Sequence, residues 1–394
     1  MYLTHFTGEN ELETEDIVEI KDLYLNFYTY DGVVKALDGV SLDIKKSEIL
    51  GLVGETGCGK SVTSLSALSI VIPPGNIEKG QIVFHSAKKD FDILSLDEKS
   101  LAKLRGHYIS MIFQEPRAAL NPVYTVGEQV AEVYFHHRKE ELIKSVITEL
   151  EENLKKASGL KRSTYQRDLS LYKKMLKNPK SLSLRFYSKI PILRRFQNRM
   201  KKEARKEIVE LLKLLNIADP PRVFDMYPHE LSGGMAQRVV IAMALACNPY
   251  MLIADEPTTS LDVTVQAQIL YQIKDLQKKF NTSILYVTHD LGVVAEVCDR
   301  VAVMYAGNVV ELADVMSFFK NPTHPYAQSL LESIPRPGKK FVSIPGTVPS
   351  LISPPEGCRF YDRCKYALEM CPKTKPKLVE VEKGHYVACH LYGK

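Results

Sequence analysis

The chain has 394 residues, of which 45% are hydrophobic and 25% are charged, and its formal net charge is +5. It is long enough for roughly two or three compact units, and it contains no run of about 18 apolar residues, which excludes a chain that spans a membrane alone. The acidic N-terminus lacks the apolar segment of a signal peptide, and seven cysteines, an odd number, argue against a disulfide framework. We therefore expect a globular protein of the cytosol.

The first predicted elements are an antiparallel β piece in VEIKDLYLNFYTY (residues 18–30) and a short buried strand over Ile49–Val53. The second strand leads into a loop that matches G-x-x-x-x-G-K-[ST]. Glycines let such a loop turn tightly and aim its N–H groups at phosphate oxygens, and a helix that begins near Ser61 adds its positive end. The sequence therefore predicts a nucleotide site at Gly54, Glu55, Thr56, Gly57, Cys58, Gly59, Lys60, Ser61 and Val62.

Three side chains of this phosphate loop have separate expected roles. Lys60 is expected to reach the β- and γ-phosphates, and Ser61 Oγ is expected to coordinate Mg²⁺. Cys58 is interpreted as a tolerated small residue and not as a nucleophile, because a phosphate loop uses the backbone at that position.

Polar side chains follow three further predicted strands. Gln114 follows ISMIF, the pair Asp255 and Glu256 follows MLIA, and His289 follows SILYVT. Asp255 can hold Mg²⁺ directly or through water, and Glu256 can orient and polarise an attacking water. Gln114 can contact Mg²⁺ or water, and His289 can contact the γ-phosphate. Together with the phosphate loop they predict one catalytic constellation.

The stretch LSGGMAQRVVIAMALACNP (residues 231–249) resembles the signature motif of ABC-type ATPases through Leu231, Ser232, Gly233, Gly234, Met235 and Gln237. The order of the motifs, from the phosphate loop to the histidine, is the order of that family over residues 17 to about 315. Ser232 and the glycines can also place donors at a helix N-terminus, where anions bind. The resemblance implies that this surface binds the γ-phosphate of ATP held by a second subunit. Ala236 departs from the family, which often has arginine there.

The resemblance implies further features of the ATP site and the fold. Asp262, in SLD, is expected at the interface of a head-to-tail pair, and Tyr28 or Tyr30 is expected to stack on adenine. The fold is expected to be an α/β P-loop domain of ABC type over residues 1–320, with an antiparallel β subdomain and an inserted helical subdomain at about 116–234. A hairpin is predicted to turn at Gly307.

A narrower resemblance links MIFQEPRAALNP, DEPTTSLDVTVQAQIL and the tail NPTHPYAQSLL to the D-type ATPase subunits of oligopeptide and dipeptide permeases. It implies a subunit on the cytoplasmic face of the membrane that powers peptide import. It also implies a paralogous ATPase as a heterodimer partner, two transmembrane permease subunits and an extracellular solute-binding protein. Importers of oligosaccharides or nickel remain alternatives. A soluble ABC ATPase acting on ribosomes or nucleic acid is a weaker one, because the chain has one phosphate loop and no long heptad run.

Four cysteines, Cys358, Cys364, Cys371 and Cys389, lie in the C-terminal extension, residues 321–394, and follow the spacing C-x5-C-x6-C-x17-C. This spacing matches neither the close pairs of structural zinc sites nor the ferredoxin pattern, so the residues alone leave Zn²⁺, a cluster and free thiols open. The resemblance to the permease subunits implies a 4Fe–4S cluster with a structural role. We expect Cys364→Ser to loosen this extension and to leave the phosphate loop intact.

Residues 155–206 form a basic insertion with 18 Lys and Arg against two acids, Asp168 and Glu203. One interpretation is a solvated, partly helical insertion. Another is contact with anionic lipid through the basic side chains and through Leu182, Leu184, Phe186, Ile190, Ile192, Leu193 and Phe196. Nucleic-acid binding is a third, which no recognisable module favours.

Overall fold

Two β-sheets organise the protein in the computed structural model, which describes residues 15–86, 89–178, 197–259, 261–335 and 343–393. One compact unit comprises residues 1–114 with 250–394, and a second comprises residues 115–249. The strands of the described residues all lie in the first unit. They are β1 (Asp16–Thr29), β2 (Gly32–Lys45), β3 (Ile49–Val53), β4 (Gly75–Phe84), β5 (Phe91–Asp92), β6 (Ile109–Ile112), β7 (Met251–Asp255), β8 (Ser283–Thr288), β9 (Arg300–Tyr305), β10 (Asn308–Asp314), β11 (Val379–Glu382) and β12 (His385–Val387).

The α-helices of the described residues are distributed over both units. They are α1 (Lys60–Ala67), α2 (Glu98–Leu104), α3 (Pro116–Ala119), α4 (Val126–His137), α5 (Lys139–Lys156), α6 (Gly159–Lys177), α7 (Gln197–Leu214), α8 (Pro220–Phe224), α9 (Gly233–Leu245), α10 (Val263–Phe280), α11 (Leu291–Val297), α12 (Val315–Lys320) and α13 (Pro325–Glu332). Among the residues that the structure describes, no helix is long and apolar enough to cross a bilayer.

The larger sheet has eight strands in the order β11-β12-β10-β9-β3-β8-β7-β6. Strands β9, β3, β8, β7 and β6 are parallel to one another. All residues of β3 and β7 are buried, as expected for central parallel strands covered on both faces. Because the strands run the same way, their carboxyl ends meet at one edge.

The smaller sheet has the order β2-β1-β4-β5, and its pairs are antiparallel, as the sequence predicts for residues 18–30. Apolar side chains of β1, β2 and β4 share one core with side chains of the larger sheet. The predicted hairpin is also confirmed, since β9 and β10 pair antiparallel around Ala306 and Gly307, both with positive φ.

The second unit is helical in its described residues. Helix α4 begins with a capping box in which Thr125 and Glu128 satisfy each other's backbone N–H groups. The compact unit begins at Glu115 and ends at Pro249, so it extends further along the chain than the predicted 116–234.

The basic insertion contains helix α6 and the first part of α7. A buried cluster joins α5 and α6 through Val146, Leu150 and Tyr172. Asp168 is 3% exposed and pairs with Arg199 at 2.8 Å, so one of the two acids of this stretch ties α6 to α7. The apolar residues 182–196 proposed for lipid contact lie outside the described residues.

The C-terminal extension belongs to the first unit. Strand β12 pairs with β10, and β11 pairs with β12, so the extension adds two strands to the end of the larger sheet. The described residues beyond 343 otherwise form turns and a 3₁₀ helix over Tyr361–Arg363.

Candidate active site

The carboxyl ends of β3, β8, β7 and β6 lie side by side at one edge of the larger sheet. The phosphate loop follows β3, His289 follows β8, Asp255 ends β7 and Gln114 follows β6. The four segments that the sequence predicts as functional therefore meet at the edge where ligands of parallel α/β sheets bind.

The phosphate loop wraps closely against the core. Gly54 has φ 157°, and a Cβ atom there would lie 2.1 Å from the Met304 carbonyl oxygen, so the position accepts glycine alone. Lys60 is 6% exposed, and its ammonium donates to the carbonyl oxygens of Gly54 at 2.7 Å and Glu55 at 3.2 Å. Thr56 and Gly57 form the exposed tip of the loop.

Ser61 and Asp255 form a pair suited to a magnesium ion. Ser61 Oγ donates to Asp255 Oδ1 at 3.2 Å. Burial raises the pKa of Asp255, and the nearby Glu256 carboxylate raises it further, while the Ser61 hydrogen bond and Lys60 lower it. Mg²⁺ in nucleotide sites is held by one or two carboxylates together with substrate phosphates and water, so this oxygen donor set fits.

Glu256 is the centre of a hydrogen-bond network. Its carboxylate accepts from Gln114 Nε2 at 3.2 Å and from Thr259 Oγ1 at 3.0 Å, and it lies 3.1 Å from His289 Nδ1. The Glu256 backbone is left-handed, with φ 45°, and its N–H donates to the Val287 carbonyl. Gln114 and His289, predicted from separate strand ends, thus converge on one carboxylate. Thr259 was missed, although its spacing of three from Glu256 is a usable signal.

The C-terminal extension reaches the phosphate loop, which the sequence analysis did not predict. Arg363 donates to both carboxylate oxygens of Glu55, at 2.7 and 3.1 Å, and the Glu55 N–H donates to the Tyr326 hydroxyl at 3.0 Å. The partners are 308 residues apart in the first case and 271 in the second, and no local pattern marks them.

The two tyrosines proposed for adenine differ in their surroundings. Tyr28 is 51% exposed, and its hydroxyl donates to Glu78 at 2.7 Å. Tyr30 lies in the turn between β1 and β2 and is fully exposed. Stacking on either ring stays a prediction.

The signature residues belong to the helical unit. Ser232 is exposed and caps α9, its hydroxyl accepting from the Met235 N–H at 3.3 Å, and Gly233, Gly234 and Met235 form the partly exposed first turn. Leu231 and Gln237 are 3% and 1% exposed. The expectation that the signature residues bind the nucleotide of a partner subunit stays a prediction. Helical periodicity turns the Gln237 side chain into the unit, while the Ser232 cap is exposed.

Asp262 occupies a helix cap. Its carboxylate accepts from the Val265 N–H at 3.0 Å at the start of α10. Helix capping alone accounts for an aspartate at this position. The expected role of Asp262 at a subunit interface stays a prediction.

The four cysteines of the extension are free thiols. Cys364 Sγ accepts from the Tyr366 N–H at 3.4 Å, and Cys371 Sγ accepts from the Leu368 N–H at 3.3 Å. Burial, with smaller contributions from the other three thiols, raises the pKa of Cys358 to about 12. Nevertheless, the predicted metal site is not confirmed, because no three His, Cys, Asp or Glu side chains of the described residues are grouped to hold a metal ion.

Two family models match the chain. The model described as "ABC transporter" matches residues 37–259, and the model described as "Oligopeptide/dipeptide transporter, C-terminal region" matches residues 310–371. The first match contains the phosphate loop, Gln114, the signature and Glu256. The second contains Arg363 and three of the four cysteines.

Curated relatives resemble the chain over nearly its whole length. It is 42% identical over 380 residues to the oligopeptide transport ATP-binding protein OppD of Bacillus subtilis, and the alignment covers 95% of this chain and 88% of that protein. It is 40% identical over 381 residues to the dipeptide transport ATP-binding protein DppD of the same organism, with 96% and 95% covered. The probable peptide ABC transporter ATP-binding protein y4tR of Sinorhizobium fredii is 41% identical over 381 residues, with 95% and 94% covered.

A solved structure shares the fold. CbiO1 from Clostridium perfringens, part of the ABC transporter complex CbiONQ, aligns with a TM-score of 0.52 and 25% identity, covering 78% of this chain and 92% of that chain. The predicted P-loop fold with mixed sheets is thereby confirmed.

Proposed function

Because the chain belongs to the family of ABC transporter ATP-binding proteins that includes oligopeptide and dipeptide transport subunits, we propose that it hydrolyses ATP to power an importer of di- and oligopeptides. The observation that carries the proposal is the convergence of Gln114, Thr259 and His289 on Glu256, beside the phosphate loop.

In the proposed reaction, a water oxygen attacks the γ-phosphorus of ATP, and the bond from that phosphorus to the bridging oxygen of ADP breaks. A proton of the water passes to the Glu256 carboxylate, which its hydrogen bonds hold in one orientation. Lys60 and His289 stabilise negative charge on the phosphate oxygens. Ser61 and Asp255, with Gln114 nearby, would hold Mg²⁺, which supplies positive charge against those oxygens when bound.

The proposed cycle needs partners. Two ATP molecules join this subunit to a paralogous ATPase in a head-to-tail heterodimer, in which Ser232 of this chain contacts the γ-phosphate held by the paralogue and Asp262 lies at the interface. Closure of the pair moves two transmembrane permease subunits that receive peptide from an extracellular solute-binding protein. The exposed Ser232 cap at the N-terminus of α9 supports the signature assignment, because helix N-termini bind anions. The chain then sits on the cytoplasmic face of the membrane.

Three finer assignments belong to the same proposal. Residues 1–320 form the ABC ATPase domain with a helical subdomain, which the helical unit at 115–249 supports. Residues 321–394 form an extension whose four cysteines would hold a 4Fe–4S cluster, with Zn²⁺ as the alternative. The N–H groups that donate to Cys364 and Cys371 support this, because hydrogen bonds of this kind surround cluster sulfurs. The cluster would supply folding energy to a small extension. The basic insertion would contact anionic lipid.

The test is uptake by the host organism. Deletion of this chain is expected to abolish uptake of labelled di- and oligopeptides and to leave uptake of labelled short oligosaccharides unchanged. Loss of sugar uptake alone would keep the ATPase assignment and overturn the peptide assignment. Unchanged uptake of both, with the chain absent from membrane fractions, would overturn the transport role and favour a soluble ABC ATPase.

A further inference from the structure

The C-terminal extension forms hydrogen bonds to both the side chain and the backbone of Glu55, the first variable residue of the phosphate loop. Arg363 binds both oxygens of its carboxylate, and Tyr326 accepts its backbone N–H. Two further contacts come from inside the loop, where the Lys60 ammonium and the Cys58 N–H each donate to the Glu55 carbonyl oxygen at 3.2 Å. The partners of the Glu55 carboxylate and N–H group thus lie beyond residue 320, whereas those of its carbonyl oxygen lie inside the loop.

The Arg363 side chain is rigidly placed. It is 4% exposed, and all three of its nitrogens are engaged. Nε donates to the Pro345 carbonyl oxygen at 2.7 Å, Nη1 donates to Glu55 and to the Tyr305 hydroxyl at 3.2 Å, and Nη2 donates to Glu55. The guanidinium also lies over the rings of Tyr305 and Phe360. A planar guanidinium with all three nitrogens hydrogen-bonded permits one orientation of the carboxylate that it binds.

We propose that Arg363 is a positioning residue for ATP, which acts through Glu55 to hold the phosphate loop in its binding conformation. The inference rests on the proposed function, since it requires ATP at this loop. A loop that is already ordered loses less conformational freedom when phosphate binds, so the ion pair lowers the cost of binding. Neither Arg363 nor the Glu55 carboxylate has a role in the proposed hydrolysis step, and we therefore expect the effect to fall on KM for ATP more than on kcat.

A second buried arginine of the same segment provides a matched control. Arg359 is 6% exposed and lies four residues before Arg363. It donates to the carbonyl oxygens of Lys35 and Ala306 and pairs with Asp38 at 3.3 Å, and none of these residues belongs to the phosphate loop. A purely structural role for Arg363 would make the two arginines equivalent.

The experiment compares full-length Arg363→Met and Arg359→Met, in which an unbranched apolar side chain replaces each guanidinium. Affinity for ATP and the shift in melting temperature caused by ATP are measured on the chain, and KM and kcat are measured on the assembled transporter. We expect Arg363→Met to raise the Kd and KM for ATP about tenfold, to change kcat less than about threefold and to shrink the thermal shift. Arg359→Met is expected to lower the melting temperature without ATP and to leave the Kd and the shift unchanged.

Two further variants test the route through Glu55. Arg363→Lys keeps the positive charge without the planar guanidinium, so its affinity for ATP should lie between those of Arg363→Met and the unchanged chain. Glu55→Gln combined with Arg363→Met should bind ATP no more weakly than Arg363→Met alone, because both substitutions remove the same ion pair. Equal Kd values for Arg363→Met and the unchanged chain overturn the inference, as do equal effects of the two arginine variants. Failure of the unchanged chain to bind ATP would instead overturn the proposed function.

Discussion

Replacing Glu256 by glutamine removes the proposed proton acceptor and leaves the groups around it in place. The substitution exchanges one carboxylate oxygen for an amide nitrogen at nearly constant volume. Glu256 accepts from Gln114 and Thr259 and lies 3.1 Å from the His289 ring nitrogen. A glutamine oxygen can still accept from one or two of these groups, and its nitrogen can donate to a reoriented Gln114 oxygen. One mismatched hydrogen bond costs about 1 kcal/mol, so the variant is expected to fold.

The effect on hydrolysis is expected to be much larger. A positioned general base contributes about 10²- to 10⁴-fold in rate, and each tenfold corresponds to about 1.36 kcal/mol of barrier. Loss of the base therefore costs about 3–5 kcal/mol, several times the cost in stability. The donors of the phosphate loop are unchanged, since Lys60 bonds within the loop and Ser61 bonds Asp255. We expect kcat to fall about 10³-fold, with the Kd for ATP changed less than about threefold.

Phosphate release by the assembled transporter gives kcat, and ATP titration of the full-length chain gives the Kd. Asp290→Asn is the matched control, because it also converts a carboxylate into an amide, one residue after His289. The Asp290 carboxylate caps α11 by accepting from the Gly292 N–H at 2.8 Å, and asparagine caps equally well. Its kcat should stay within about twofold. Turnover of Glu256→Gln close to that of the unchanged chain, or an equal loss in Asp290→Asn, would refute the assignment.

Three other predictions follow from the contacts. Ser61→Ala removes the hydroxyl beside Asp255, so the Mg²⁺ concentration for half-maximal ATPase activity should rise about tenfold. The rise should be larger at low pH, because the raised pKa of Asp255 lets protons compete with Mg²⁺ for the carboxylate. An unchanged Mg²⁺ dependence would contradict the magnesium site. His385 donates to the buried Glu311, which raises its pKa above 6.5, so the free energy of unfolding should fall as pH rises above about 6.5, and His385→Gln should flatten that dependence in denaturant titrations. Anaerobically purified protein should contain iron and acid-labile sulfide, Cys364→Ser should lose both, and their absence from the unchanged protein would exclude the cluster.

The Arg363–Glu55 ion pair changes one expectation from the sequence. The sequence treats the cysteine-rich extension as separate from the ATP site and predicts that Cys364→Ser leaves the phosphate loop intact. Arg363 immediately precedes Cys364 and binds the loop through Glu55. We therefore expect Cys364→Ser to weaken ATP binding as well, which the titration used for Arg363→Met would detect.

Much of the candidate site could be predicted because its parts are local in sequence. A glycine-rich loop after a buried strand carries its own geometry, and polar residues directly after apolar runs mark strand ends. Parallel strands then bring Gln114, Glu256 and His289 to one edge, as the sheet order shows. The burial of the Gln237 side chain could not be predicted, because motif membership does not show which face of α9 a residue occupies.

The basic insertion shows the limit of composition as a guide. Its charge predicts a solvated segment, yet Asp168 is buried and paired with Arg199, and Tyr172 packs in a cluster with α5. A net charge averages over side chains, whereas packing depends on which single positions face a neighbouring helix.

The sequence by itself determined the phosphate loop, the strand-end acids, the signature and the family, because each of these is written in residues close together along the chain. Only the tertiary structure decided that Thr259, Gln114 and His289 share one carboxylate, and that Arg363 and Tyr326 hold Glu55. Those contacts join segments up to 308 residues apart, and a single buried ion pair leaves no periodicity or spacing in the sequence. Local patterns record local geometry, and the coupling of the extension to the ATP site arises only when the chain has folded.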